Sequence, residues 1–155
     1  MYGKEESIAL RKLFWTSFGK YIGHNKAASG KKCKWLNYKT GVKDIYFRMD
    51  VDKRTAKVSI DLQHSDPGIR ALFFEQFKEV KTVFESTTNS SDWIWVEDYT
   101  DNFNKQISRI YIEIENVNLY NKNTWNVIFP FFSKHLLALD EFWEEFKDLF
   151  KQLEK

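Results

Sequence analysis

The stretch YFRMDVDKRTAKVSIDLQ, Tyr46–Gln63, decides the fold. In Tyr46–Asp52, Phe47, Met49 and Val51 alternate with Tyr46, Arg48, Asp50 and Asp52. In Lys57–Gln63, Val58, Ile60 and Leu62 alternate with Ser59, Asp61 and Gln63. Successive side chains of an extended strand point to opposite faces, so a period of two separates an aliphatic face from a charged one. Only Lys53-Arg54-Thr55-Ala56 lie between the two runs, and an antiparallel hairpin is the simplest link.

The same unit recurs downstream. Asp66-Pro67 starts a helix, with a capping carboxylate and proline at the first helical position. Ile69, Phe73, Phe77, Val80 and Phe84 give this helix its buried stripe. Ser86–Asp92 (STTNSSD) is a loop on composition. In Trp93–Tyr99, Ile94 and Val96 form the aliphatic face, leaving Trp93, Trp95, Glu97 and Tyr99 on the other. In Ser108–Glu115, Ile110, Ile112 and Ile114 point inward and Arg109, Tyr111, Glu113 and Glu115 outward. The polar link Thr100–Ile107 is too long for a tight turn and is expected to project from the sheet.

The last helix, capped by Asn121 or Asn123, carries a stripe of Trp125, Phe129, Phe132, Leu136, Leu139, Trp143, Phe146, Phe150 and Leu153. Pro130 should kink or split it, because its ring clashes with the preceding turn and it lacks an N–H. A first helix spans about Glu5 to Ile22, with Leu10, Phe14, Phe18 and Tyr21 on one stripe and Ile8, Trp15 and Ile22 beside it. The width of that stripe predicts a largely covered helix, ended at Gly23 by a left-handed turn. Residues 24–43 are irregular, with Trp35 as the expected anchor and a short strand around Lys34–Tyr38.

Aromatic residues make up 17% of the 155-residue chain, which excludes a disordered chain and predicts a ring-dominated core. One domain spanning 1–155 is the natural expectation at this length. The net charge of +2 is unevenly spread: 17 Lys+Arg face 9 Asp+Glu in residues 1–84, against 7 and 13 in 85–155. Between Ser7 and Val42 stand eight basic residues and no acid, Lys31, Lys32 and Lys34 beside Trp35 among them. Such asymmetry fits a polyanion-facing segment, a solvated loop, or oppositely charged halves meeting in an oligomer. One cysteine, Cys33, implies no disulfide framework, and the charged start with no long apolar run implies no secretion signal and no membrane span. The expected location is the cytoplasm.

The polar strand face is the one candidate working surface. It collects Tyr46, Arg48, Asp50, Asp61, Gln63, Trp93, Trp95, Glu97, Arg109, Tyr111 and Glu113. Tryptophan, tyrosine and arginine are the usual anchors of protein interfaces, so an interaction or homodimer surface is the first reading. Exposed rings beside cations also describe a nucleic-acid stacking platform, with the basic segment as its electrostatic arm. A third reading is a metal-dependent nuclease, since hard cations take clustered oxygen ligands. Asp50 followed by Asp61-x-Gln63 resembles the split acidic motif of restriction-type nucleases, with Gln63 where that motif has lysine. Cross-strand salt bridges from Arg48 or Arg109 to Glu97 or Glu113 are the plain alternative.

Other chemistry is thin. His24, His64 and His135 have no paired spacing that points to zinc. Lys31, Lys32 and Lys34 around Cys33 would lower a thiol's pKa, but no partner base is identifiable. No phosphate-cradling glycine loop or serine elbow is present, so no catalytic residue, cofactor or resident metal is expected.

Phe14-Trp15-x-x-Phe18, Trp93-Ile94-Trp95, Arg109-Ile110, Trp125 and Phe142-Trp143 fall in an order that resembles a bacterial domain family of unknown function. The resemblance covers nearly the whole chain. It implies no catalytic residues, and the basic insert around Lys31–Lys39 has no counterpart in its pattern. In longer relatives the domain looks like a C-terminal appendage of nuclease-like regions, and this chain looks like a stand-alone form. That association raises the nucleic-acid reading.

The expected architecture is α+β, a four-stranded antiparallel sheet with three helices on one face in the order α-β-β-α-β-β-α. The expected function is a bacterial cytoplasmic interaction module, with a nucleic-acid-binding accessory domain as alternative and a metal-dependent nuclease-like enzyme as second alternative.

Overall fold

Two hairpins with aliphatic faces must pair their edges and cover one side, and the chain does both. A computed structural model describes residues 3–154. Helix α1 spans Lys4–Ile22, strand β1 Ile45–Val51, β2 Thr55–Leu62, α2 Pro67–Glu79 and α3 Lys81–Thr87. Strand β3 follows at Ile94–Thr100, then β4 at Gln106–Glu115 and α4 at Trp125–Leu153. The architecture is α+β, with one antiparallel sheet of four strands in the order β1-β2-β4-β3. Asp52 closes the first hairpin, its Oδ1 accepting the N–H groups of Arg54 and Thr55.

The inner face of the sheet presents Phe47, Val58, Ile60, Leu62, Ile110 and Ile112, all buried. Rings from α2 and α4 fill the layer above it: Phe47 meets Trp143 at 5.4 Å, and Phe77 meets Phe150 at 4.3 Å. Helix α1 packs on α4 rather than on the sheet, with Phe14 edge-on to Trp125 and Phe129 at 5.2 Å. Only Phe14, Phe18 and Ile22 of α1 are buried, so its covered stripe is narrower than expected, and Ile8 and Tyr21 stay exposed.

Several local expectations are corrected. Four helices form, not three, because the helix begun at Pro67 breaks at Val80, whose N–H turns to the Phe77 carbonyl at 3.2 Å. The break re-aims the chain so that Phe84 meets Trp93, Trp95 and Phe142 edge-on. Trp35–Asn37 is a 3-10 turn, not a strand; Trp35 still anchors the segment, buried and donating its Nε1–H to the Asn25 carbonyl at 3.0 Å. Gly23 keeps right-handed backbone angles, and a Cβ there would lie 2.7 Å from the Gly19 carbonyl oxygen, so close approach is what demands glycine. Asn121 caps the 3-10 turn that leads into α4 rather than α4 itself. Helix α4 runs unsplit through Pro130, which sits in its second turn on an exposed position. No helix of the described residues is long and apolar enough to cross a membrane.

Candidate functional site

The face of the sheet opposite the helices is ordered by strand register into transverse rows. Tyr46, Asp61, Arg109 and Val96 form one row; Arg48, Ser59, Tyr111 and Ile94 form the next; Asp50, Lys57 and Glu113 form the third. Gln63 lies just past the end of β2. The register thus brings together Tyr46, Arg48, Asp50, Asp61, Arg109, Tyr111 and Glu113.

Trp93 and Trp95 do not belong to this face. Trp93 is 4% exposed, sits edge-on to Phe84 at 5.1 Å, and donates its Nε1–H to Thr88 Oγ1 at 3.1 Å. Trp95 packs on Phe74 and Phe84 on the helix side, with the Lys81 ammonium over its ring and its buried Nε1 without an acceptor. Ile94, 44% exposed, takes the outer position instead. The cause is a β-bulge: Val96 pairs with Arg109 and Tyr99 with Ile107, so Glu97 and Asp98 together oppose Ser108. The extra residue changes the parity of the strand. One alternation therefore cannot place both Trp95 and Tyr99, and the core takes the larger indoles. Glu97 sits in the bulge, exposed, its carbonyl accepting from Ser108 Oγ at 2.6 Å.

Charge on the outer face is interleaved. Asp61 is 1% exposed and is gripped by Arg109, Nε to Oδ1 at 2.8 Å and Nη2 to Oδ2 at 2.9 Å. Such a two-bond fork is both strong and directional. Burial opposes the Arg109 charge, but the hydrogen bond and charge of Asp61 prevail and raise its pKa. Arg48 reaches the same carboxylate only at 3.6 Å, and Lys57 lies 3.6 Å from Glu113. Each of these three cations also covers a ring: Arg109 over Tyr99 at 4.3 Å, Arg48 over Tyr46 at 4.6 Å, Lys57 over Tyr111 at 5.0 Å. Asp50, Asp61, Glu97 and Glu113 do not converge, and cations stand between them. Among the described residues no group of three His, Cys, Asp or Glu side chains is placed to hold a metal ion.

The link between β3 and β4 turns over this face rather than projecting from the sheet. Asp101 Oδ1 accepts the N–H groups of Phe103 and Lys105, both at 2.9 Å, and Asn104 takes a left-handed φ of 62°. Between loop and sheet lies a cleft of about 450 Å³, lined by Arg48, Lys57, Asp61, Tyr99, Phe103 and Arg109 among others. Phe103, at the loop tip, is 90% exposed. Neither Phe103 nor Lys57 stood out in sequence; a phenylalanine inside the polar link 100–107 was the available signal.

The basic segment is tied to the body through α4, and its residues 35–38 do not line this cleft. Lys31, Lys32 and Lys34 are exposed. The buried carboxylate of Asp140 on α4 accepts from the Ala28 N–H at 2.6 Å and the Tyr38 hydroxyl at 2.5 Å, clamping the segment to the core. Burial, then the Asp140 charge, pushes the Cys33 thiol up to about 11, opposite to the effect expected of its lysine neighbours. Cys33 is therefore a protonated thiol at neutral pH. His24 is exposed, His64 Nδ1 accepts the Asp66 N–H, and His135 is buried with Nδ1 against the Phe131 carbonyl. The three histidines lie in separate places.

No curated protein and no solved structure matches the chain. A family model does, over residues 10–147, the span that carries the α1 aromatics, both hairpins and most of α4. The chain belongs to the family described as Domain of unknown function (DUF4268).

Proposed function

We propose that the domain is a protein-association module and that the outer sheet face is its contact surface. The observation that carries this reading is Phe103, an almost fully exposed ring on an ordered hairpin, poised over a cleft whose floor is already cross-linked by Asp61 and Arg109. Tyr99, Arg48 and Arg109 stand among the cleft's lining residues, and tyrosine and arginine concentrate the binding energy of protein interfaces. The stacked, hydrogen-bonded side chains are held before any partner arrives, which lowers the ordering cost of association. Arg48 is half exposed, and its closest carboxylate is already held by Arg109. It therefore offers a donor fork to a carboxylate on the partner.

Charge favours a protein over a polyanion. Arg48, Lys57, Lys105 and Arg109 are balanced on or beside the cleft by Asp50, Asp61, Asp101 and Glu113. A surface that tracks a phosphate backbone needs a cationic excess. The interleaved cations likewise support salt bridges over a carboxylate metal site.

The test compares affinity capture by the wild-type chain with capture by Phe103→Asp and Lys105→Glu, both exposed positions whose substitution should leave the melting temperature unchanged. Proteins retained by the wild type should be lost from both variants. An identical captured set would refute the surface assignment, and retention abolished by nuclease treatment would transfer the face to nucleic acid. Sedimentation of the purified chain decides whether the partner is a second copy.

A further inference from the structure

The two edges of the sheet are built differently. β3 carries the bulge at Glu97–Asp98, and a bulge turns an edge strand away from would-be partners. β1, at the opposite edge, runs from Ile45 to Val51 with neither bulge nor proline. Two bonds set the phase of its ladder with β2: the Asp52 N–H to the Thr55 carbonyl at 3.0 Å, and the Gln63 N–H to the Asp44 carbonyl at 2.8 Å. Antiparallel pairing alternates, so even-numbered residues of β1 bond to β2 and odd-numbered ones turn their N–H and C=O outward. The first outward residue, Ile45, is closed by the Val42 carbonyl at 3.3 Å and the Thr40 hydroxyl at 2.7 Å. Among the described residues nothing pairs with the outward groups of Phe47 and Met49.

These two residues open onto a groove of about 320 Å³, walled on its far side by Trp15 of α1 and by Leu36 and Tyr38. An open backbone ladder beside a groove lined by the side chains of Trp15, Trp35, Leu36 and Phe47 is the geometry of strand addition, in which main-chain bonds give affinity and pockets take alternate side chains. We propose that β1 accepts an extended, alternating apolar and acidic segment of a partner protein as a fifth strand. In an antiparallel pair, opposite residues share a face. The segment's apolar residues would then bond to Phe47 and Met49 and place their side chains against Trp15 and Leu36. Its intervening residues fall on the side of half-exposed Arg48, and exposed Lys34 and Lys39 flank in sequence the 3-10 turn whose residues line the groove. Arg48 is the charged side chain that lines the groove, and with Lys34 and Lys39 it favours an acidic strand. The same charge argues against a second copy, because pairing two β1 edges would bring two sets of these cations together. The edge site adjoins the Phe103 cleft and shares Arg48 and Met49 with it, but Phe47 and the Trp15–Leu36 wall lie outside the cleft lining, and neither reading rests on the other.

The test titrates the full chain with the peptide Ac-EVEFEVE-NH2, with Ac-KVKFKVK-NH2, and with the acidic peptide N-methylated on its valines. Amide exchange is followed residue by residue by NMR. The acidic peptide should protect the amides of Phe47 and Met49 and bind at least about tenfold more tightly than the lysine peptide. N-methylation should abolish binding. Met49→Pro removes one outward N–H, at an edge position where proline is tolerated, and should lose binding. If that variant fails to fold, Leu36→Asp on the exposed groove wall makes the same test. Equal binding of both peptides, or binding without protection of the two amides, overturns the proposal. Protection that rises with protein concentration alone also overturns it, assigning the edge to self-pairing, and protection by an oligonucleotide assigns it to nucleic acid.

Discussion

Substituting Arg109→Met tests whether Asp61 is a structural anchor beneath the outer face. Asp61 is 1% exposed and the Arg109 side chain 14%, so the methionine would leave a buried carboxylate without its two-bond partner. Removing one member of a buried ion pair costs about 3–5 kcal/mol. Arg48 remains 3.6 Å away and offsets part of this, which puts the expected loss near the lower end, about 3 kcal/mol. For a chain of this size that is a fall in melting temperature of about 6–12 °C. The double variant Asp61→Val/Arg109→Met removes both charges and should recover most of the loss, ending within about 1 kcal/mol of wild type. Arg48→Met, at a half-exposed position, should cost under about 1 kcal/mol. Urea unfolding, read as a change in midpoint at constant slope, measures all three. A loss below about 0.5 kcal/mol for Arg109→Met, or a double variant as unstable as the two singles summed, would refute the anchor role.

Two further substitutions report on the rest of the structure. Asp140→Ala deprives the Ala28 N–H and the Tyr38 hydroxyl of their acceptor, at an expected cost of about 3 kcal/mol, and amide exchange across residues 25–40 should accelerate. Unchanged exchange there would show that the clamp does not hold the basic segment. His135 is held below its ordinary value of 6.5, by burial first and also by the Lys134 charge, against an opposing bond to the Phe131 carbonyl. The unfolded chain therefore takes up this proton first as pH falls. The resulting stability is present above 6.5 and lost as pH drops through the lowered folded value. Replacing His135→Gln should flatten the stability profile over that window relative to wild type, and parallel profiles would remove His135 as a contributor.

Much of this was legible from residue order. The Tyr46–Gln63 alternation announces β1 and β2 with the correct inward residues, and Asp66-Pro67 announces the start of α2. The stripe from Trp125 to Leu153 announces α4, even though Pro130 was expected to disturb it. A proline in the second turn forfeits one bond, and the packed aromatic stripe beyond it outweighs that loss. The Val80 break left no such trace, because the 3-10-like turn there serves the packing of Phe84 against rings from β3 and α4.

The periodicities by themselves determined the α+β class and the rows contributed by β1, β2 and β4, because burial of one face is written into a strand or helix locally. Only the tertiary structure decided the phase of β3, the fate of its two indoles and the upward shift of the Cys33 thiol. A bulge exists only as two residues opposing one on a neighbouring strand, and the Cys33 thiol responds first to its burial and then to a carboxylate that α4 brings to it from far along the chain. Phe103 became a candidate contact, and Phe47 and Met49 an open edge, for the same reason. Exposure and unpaired backbone groups depend on what the rest of the fold leaves uncovered.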